Sequence, residues 1–482
     1  MLNRQQLIDQ FIELLGSDKV LASVDQLKPY KNNTIGFDES YYDEYIVGVL
    51  KPDTTDQVVS IVEIANIHNV PLYPISTGRN WGYGSKAPTA LGSFIIDLSN
   101  MKKIREVNNE IGYAIIEPGV TQEDLTIFLK ENCPEFILDK TGAPVATSII
   151  GNTLERGWGL RGCKDKVVNG FEIVSGSGKT FRTGSWGAAI GEPFYRYTPG
   201  PITDQLFCQS NFGIITAMAL KLYPRPEQFN ALFCTIPREK LLITIKEIQL
   251  IKRHDQEIFF KVLLDKQYIT NNNAPFTVFI FMYGIKDILK LKTKKTMEVF
   301  NKLGTVNLKE DFQNIQDGTK TEDIVSLFVH PDSTRGADVS NYMFRDFDEF
   351  SMPNHENLDE VDDFGLHFYD CIIPNNSKLV QETLEYFVNT INKKYKLSTR
   401  ITLHIYDHDT IVIVNYIVFN RKDKNAARLA KQCVDEFYAN QNLVKIRLTP
   451  WHMNCSYEGK EFLDGIKNVF DPKRIIAPRR YE

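Results

Sequence analysis

The stretch Val70-Pro-Leu-Tyr-Pro-Ile-Ser-Thr-Gly-Arg-Asn-Trp-Gly-Tyr-Gly-Ser-Lys-Ala-Pro88 decides the fold. Its first residues, Val70 to Ile75, are apolar and β-prone, and they run into a loop with Gly78, Gly82 and Gly84. Glycine at that density lets backbone N–H groups approach a ligand with no Cβ in the way, which suits a phosphate. No Gly-Lys-Ser/Thr follows, so this is not a Walker loop, and the glycine spacing is not the G-x-G-x-x-G of a Rossmann turn. On these residues alone the loop is either a diphosphate cradle or an ordinary glycine-rich connection.

Upstream, Tyr45 to Leu50 reads as a strand and Pro52-Asp-Thr-Thr-Asp56 as a helix start, with Thr55 or Asp56 as cap. Val58, Ile61, Val62, Ile64 and Ala65 then keep helical spacing, so the chain reaches the loop through a β-α-β unit. Before it, Leu7, Ile8, Phe11, Ile12, Leu14 and Leu15 mark an amphipathic helix ending at Gly16. Downstream, Ser93 to Leu98 and Ala114 to Val120 are short apolar strands, and Thr121 with Asp124 forms a capping box for the next helix. The small-residue run from Thr141 to Thr153 leaves its amides open to a large planar or phosphate-bearing ligand, or makes a close-packed junction. Gly170 to Gly184 reads as a hairpin turning at Gly176-Ser-Gly178, and Ala217 to Tyr223 as a strand.

The pattern changes after Pro224-Arg-Pro-Glu227. Strands over Phe229–Ile236, Phe276–Tyr283, Phe364–Ile373 and Thr410–Phe419 alternate with helices over Glu239–Arg253, Asp287–Lys302, Ser377–Lys393 and Ala426–Ala439. That order predicts an antiparallel sheet with helices on one face, hence an α+β chain. The charged loop from Lys309 to Asn357 has few apolar anchors and reads as a lid or an interface arm.

At 482 residues the chain exceeds what one core usually serves, so two packed domains are expected. It is 43% hydrophobic and 24% charged with a net charge of −5, and its basic residues are interleaved with acidic ones. Nothing there grips nucleic acid or an anionic membrane. No apolar run approaches the roughly 20 residues that span a bilayer, and the N-terminal helix is too broken by polar residues for a secretory signal, so the expected compartment is the cytoplasm. Seven scattered cysteines without a C-x-x-C pair signal neither a disulfide framework nor a metal site.

Five stretches in order carry a resemblance: the loop Pro74 to Gly84, the turn Glu117-Pro-Gly-Val120, the run Gly151-Asn-Thr-Leu-Glu-Arg-Gly157, Gln209 to Thr216, and the ending Asp471 to Tyr481. Together they resemble the vanillyl-alcohol oxidase and p-cresol methylhydroxylase flavoproteins, with their PCMH-type FAD-binding fold, over nearly the whole chain. The resemblance implies an FAD-binding domain (1–225), a substrate or cap domain (226–440) and a C-terminal segment (441–482) that returns to the first. It places Ser76, Thr77, Gly78, Arg79, Asn80, Gly82 and Tyr83 in the pyrophosphate loop. Pro118, Gly119, Thr141, Gly142, Ala143, Ser148, Gly151, Asn152 and Ile214 fall where the family contacts adenine, ribityl or flavin.

Phenol-oxidising members bind the substrate oxygen with a tyrosine in the loop and a Tyr-Arg pair near the C-terminus; Tyr83 and Arg447 match, while Ile446 stands where the second tyrosine is expected. The family's carboxylate near flavin N5 has no counterpart in the Gly142–Ala143 region, so an acid or base must come from elsewhere. His367, Tyr369 and Asp370 form one candidate group and His404, Tyr406 and His408 another, since alternation along a strand puts His367 with Tyr369 on one face, and likewise His404, Tyr406 and His408. The histidine that tethers flavin in vanillyl-alcohol oxidase aligns with Val412 or Ile413, which predicts non-covalent FAD. The expected activity is hydride transfer from a small phenolic or alcohol-like substrate to FAD, reoxidised by oxygen or an electron acceptor, with a homodimer as the candidate assembly. The missing carboxylate and Ile446 motivate the alternative, a binding or structural descendant without turnover.

Overall fold

A computed structural model describes residues 3–36, 42–144, 146–310, 358–361, 363–453 and 459–482. Beyond residue 310 the charged Lys309–Asn357 loop lies outside the described residues. No helix among them is long and apolar enough to cross a membrane.

Strands β1 (Val20–Leu21), β2 (Ile46–Leu50), β3 (Leu72–Ile75) and β4 (Ser93–Asp97) form a sheet in the order β1-β2-β4-β3, in which β4 runs parallel to both β2 and β3. The helix Thr55–His68 joins β2 to β3 and buries Val58, Ile61, Val62 and Ala65 against this sheet. Its cap is Thr54, one residue before the expected pair: Thr54 Oγ1 accepts from the Gln57 amide at 3.2 Å. Asn69 ends the helix in the left-handed conformation (φ 54°), and Pro71 then favours the extended backbone that becomes β3.

A second sheet orders β5 (Ile104–Asn108), β6 (Tyr113–Ile116), β8 (Val168–Ser175), β9 (Thr180–Arg182) and β10 (Gly213–Lys221) as β5-β6-β10-β8-β9. The predicted capping box is present, with Thr121 and Asp124 satisfying each other's amides. A small pair, β7 (Phe136–Ile137) with β11 (Tyr223–Pro224), leads to the second half.

There β12 (Gln228–Ile236), β13 (Ile258–Leu264), β14 (Phe276–Gly284), β15 (Thr305–Glu310), β16 (Phe364–Phe368), β17 (Cys371–Pro374), β18 (Ser398–Ile405), β19 (Thr410–Asn420) and β20 (Val444–Lys445) make a nine-stranded antiparallel sheet. The helices Leu241–His254, Lys286–Phe300, Ser377–Phe387 and Lys424–Ala439 bury Ile245, Leu289, Val380 and Val434 with the strands' Leu232, Ile280 and Leu403 in one core. The opposite face carries Phe233, Phe279 and Phe281, packed with Leu160 of the first half. The expected strand Phe364–Ile373 is two strands, interrupted at Tyr369 and Asp370, and both halves pair with β19. β13, β15 and β20 were not anticipated, and β18 only as the strand carrying His404.

The C-terminal segment returns to the opening loop. Leu72 N donates to Ile475 O and Ala477 N to Leu72 O, each at 2.7 Å, so Ile476 lies as an added edge on β3.

Candidate active site

β3 delivers the glycine-rich loop to one wall of a cavity of about 400 Å³, and the naked face of the nine-stranded sheet supplies the facing wall. Of the residues expected to hold the cofactor, Ser76, Thr77, Gly78, Arg79, Asn80, Tyr83, Thr141, Gly142, Ala143, Ser148, Gly151, Asn152 and Ile214 line it; Gly82, Pro118 and Gly119 do not. The reason is local. The Gly82 amide donates to Thr34 Oγ1 (2.9 Å), and those of Tyr83 and Ser85 donate to Asn80 O (3.1 and 3.0 Å). The turn is closed on itself after Asn80, so Ser76–Trp81 line the cavity without a break and beyond them only Tyr83 and Ser85 of the loop reach it. Gly82 instead meets the substrate wall, where a Cβ would come within 2.5 Å of the Phe368 ring.

Pro118 and Gly119 act from behind. Ser148 Oγ donates to Pro118 O (2.6 Å) and accepts from the Gly151 amide (3.0 Å), while the Ser148 amide donates to Thr77 Oγ1 (3.2 Å), which ties the small-residue run to the loop. Gly119 packs where a Cβ would meet Ser99 O at 2.4 Å.

Four buried polar atoms on the wall, Thr147 Oγ1, Asn152 Oδ1, Trp158 Nε1 and Asn211 Oδ1, have no partner among the described residues. Buried donors and acceptors are seldom left orphaned, so the cavity is built for a ligand rich in both. FAD, with its diphosphate, ribityl hydroxyls and pyrimidine edge, fits that chemistry.

At the substrate end Tyr83 Oη donates to Asp370 Oδ2 at 2.7 Å, and the Asn415 amide donates to Asp370 Oδ1 at 3.1 Å. Tyr83 also stacks on Phe368, with centroids 5.7 Å apart and planes 11° from parallel. Arg447 is half-buried beside them, its guanidinium carbon 5.4 Å from the Tyr83 ring centre. Its one side-chain hydrogen bond among the described residues runs from Nε to Glu155 O (2.8 Å), so its outer nitrogens are left to the cavity. Burial, opposed by the Tyr83 hydrogen bond and the Arg447 charge, raises the Asp370 carboxyl to about 6. Burial and the Asp370 charge push the Tyr83 hydroxyl well above its ordinary range.

His404 lines the cavity and Tyr406 supports it. Tyr406 Oη lies 3.0 Å from His404 Nδ1 and donates to Gly159 O at 3.0 Å, with its ring stacked on Trp158. Burial and the neighbouring Lys261 depress the His404 pKa well below normal. His408 is exposed beside Asp407 and takes no part.

His367 and Tyr369 correct the sequence expectation. They do share a face, but it is the helix-covered one: His367 stacks on Phe419 (5.0 Å) and Tyr369 packs edge-on to Phe387 and Phe437. Burial lowers the His367 pKa to about 3. The residues that alternate with them, Phe368 and Asp370, face the cavity instead. Lys261, Arg400 and Thr402, which the sequence reading did not single out, also line it from β13 and β18.

Residues 47–184 match the model of the FAD binding domain family. The chain is 35% identical over 207 residues to the 1'-carboxy-chondrochloren decarboxylase of Chondromyces crocatus, which is 42% of this chain and 38% of that protein. It is 34% identical over 227 residues to the 4-cresol dehydrogenase [hydroxylating] flavoprotein subunit of Pseudomonas putida, 46% of this chain and 43% of that one. The matched region is therefore less than half the length of each relative. The fold matches p-cresol methylhydroxylase with a TM-score of 0.86 at 20% identity, over 99% of this chain and 96% of that one. It matches the 4-ethylphenol oxidase of Gulosibacter chungangensis with a TM-score of 0.85 at 19% identity, over the same shares. The glycine-rich loop, the cavity it frames and these likenesses together show an FAD binding domain in a PCMH-type fold, with FAD as the cofactor.

Proposed function

We propose that this chain is an oxidoreductase of the vanillyl-alcohol oxidase type that takes a hydride from a small phenolic or alcohol-like substrate, a 4-alkylphenol or 4-hydroxybenzyl alcohol first. The observation that carries the reading is the pairing of Tyr83 with Arg447 at one end of the FAD cavity. By their names, 4-cresol dehydrogenase and 4-ethylphenol oxidase act on para-substituted phenols, which supports the same class here.

Bound FAD supplies the two-electron acceptor. Ser76 to Asn80 and the Thr141–Asn152 segment would hold it. Tyr83 and Arg447 fix the substrate oxygen, and the Arg447 charge opposes the negative charge that grows there as hydride leaves the conjugated carbon. Ile446 is buried and supplies no side-chain donor; one missing donor to a developing charge typically costs roughly 2.7 to 4 kcal/mol. His404 stands on the opposite wall as a neutral base for the water that adds to the oxidised substrate after hydride has left. The holoprotein binds FAD non-covalently, and oxygen or an electron acceptor completes the cycle.

Anaerobic mixing of the yellow holoprotein with phenols, hydroxy acids and sugars tests this. Bleaching by 4-alkylphenols is the expected result, and the speed of recolouring in air separates oxidase from dehydrogenase. Tight FAD binding with no bleaching by any of them would leave a binding protein.

A further inference from the structure

We propose that Asp370 is the terminal acceptor of the substrate's hydroxyl proton, reached through Tyr83, so that the site takes a neutral hydroxyl compound and ionises it in place. This rests on the reading of Tyr83 and Arg447 as the oxygen-binding end. The Tyr83 hydroxyl has one proton, and it is committed to Asp370 Oδ2 at 2.7 Å. Toward the cavity Tyr83 Oη therefore presents lone pairs, and it can only accept from a ligand. A substrate O–H meets that acceptor, whereas a ligand already ionised meets a lone pair with its own.

The step balances as a relay. The substrate O–H bond breaks and its proton goes to Tyr83 Oη, while the proton already on Tyr83 passes to Asp370 Oδ2. The electron pair stays on the substrate oxygen, facing Arg447, and the hydride can then leave the conjugated carbon. Tyr83 ends as it began.

The surroundings suit the role. Asp370 exists in this position because the strand breaks at Tyr369–Asp370, which turns its carboxylate toward the loop, and Asn415 N holds the second oxygen. The charged and titratable groups about the pair are Arg447 from the segment after β20, Glu155 beyond it, Tyr438 from the helix Lys424–Ala439, and the chain neighbours Tyr369 and Cys371. Arg447 is the one cation among them. Its charge lowers the Asp370 pKa against burial, so at neutral pH the carboxylate is ready to accept.

The test compares wild type with Asp370→Asn, both loaded with FAD, by the pH dependence of anaerobic bleaching with a 4-alkylphenol. Wild type should lose rate as pH falls through about 6. The variant should load FAD equally, react roughly 100-fold or more slowly at neutral pH, and lack that limb. A ring-fluorinated 4-alkylphenol, already ionised at the assay pH, should recover most of the variant's rate. If the variant keeps the limb near 6, or the ionised phenol brings no recovery, the relay is wrong. If hydroxy acids or sugars bleach the wild type and phenols do not, the phenolic class fails, and the relay stands or falls by the same limb measured with those substrates. If nothing bleaches it, both proposals fall.

Discussion

The Tyr406 hydroxyl lies 3.0 Å from the Gly159 carbonyl and 3.0 Å from His404 Nδ1, and it has one proton to give. A carbonyl can only accept, so that proton goes to Gly159 and His404 must carry its own on Nδ1. The tautomer is thereby set, and Nε2 is the unprotonated nitrogen of a ring that lines the cavity.

The first prediction follows. His404→Phe should lower formation of the hydroxylated product by about 100-fold or more if Nε2 is the base that takes a proton from the water adding to the oxidised substrate, with bleaching and FAD binding unchanged. Tyr406→Phe keeps the stacking on Trp158 but frees the tautomer, so it should give a smaller loss, on the order of tenfold. Because burial and Lys261 hold His404 neutral far below its ordinary range, neither variant should move an acid limb near pH 6. Stopped-flow bleaching across pH, together with product analysis, checks all three outcomes.

Much of this was legible in the sequence, for local reasons. The β-α-β unit, the Thr121–Asp124 capping box and the glycine-rich loop each depend on residues a few positions apart, and the alternation of His404 with Tyr406 gave their shared face correctly. What could not be read was which face a strand turns to the cavity. His367 and Tyr369 alternate as expected, but the helices Ser377–Phe387 and Lys424–Ala439 cover that side, so the neighbours Phe368 and Asp370 become the site residues. Asp370 meets a tyrosine 287 positions away, and no local pattern encodes such a pairing. β13 escaped for the same reason, and so did the cavity-facing roles of Lys261 and Arg400.

Asp370 also makes a stability prediction. Its folded pKa, about 6, lies above the ordinary carboxylate value, so the folded state holds the proton more tightly than the unfolded chain does. Its contribution is fully present below about pH 4 and is lost as pH rises through about 6. Asp370→Asn in the FAD-free protein should therefore gain on wild type between pH 4.5 and 7.5 by up to about 3 kcal/mol, as read by urea unfolding at both pH values.

Gly82→Ala should damage the junction between the loop and the substrate wall. Gly82 has φ +73°, and an added Cβ would lie 2.5 Å from Phe368 Cδ2 and 3.0 Å from the Phe368 backbone nitrogen. Left-handed strain of about 1 to 2 kcal/mol adds to overpacking of about 1 to 3 kcal/mol. The melting temperature should fall, and because Phe368 stacks on Tyr83, turnover should fall further than FAD affinity does. Equal losses in both would show that the glycine serves the cofactor directly.

The proposal that FAD is held non-covalently has its own check. No cysteine lines the cavity among the described residues, the Tyr83 hydroxyl is tied to Asp370, and that of Tyr73 accepts from Arg480, so His404 is the nucleophile a tether would use. Acid precipitation of the holoprotein should leave the yellow colour in the supernatant. Colour that stays with the pellet would identify a tether, and peptide mapping would name the residue.

The last prediction concerns what holds the C-terminal segment against β3. Lys467 and Asp471 form an ion pair at 2.8 Å with side chains only 1% and 0% exposed. Lys467 Nζ also donates to Asn211 O (2.5 Å) and Ile476 O (2.8 Å), and Asp471 accepts from the amides of Ile475 (3.1 Å) and Ile476 (2.8 Å). One buried pair thus joins the helix Lys460–Phe470, the cavity-lining segment at Asn211 and the strand-like edge on Leu72. Lys467→Met removes the cation and leaves a buried carboxylate, which typically costs about 3 to 5 kcal/mol. Since Ile476, Ala477 and Asn211 all line the cavity, FAD affinity should fall together with stability. Lys467→Met with Asp471→Leu removes both charges and should recover part of the unfolding free energy, but not the FAD affinity, because the amides of Ile475 and Ile476 still lack their acceptor. Urea unfolding with and without excess FAD separates the two effects.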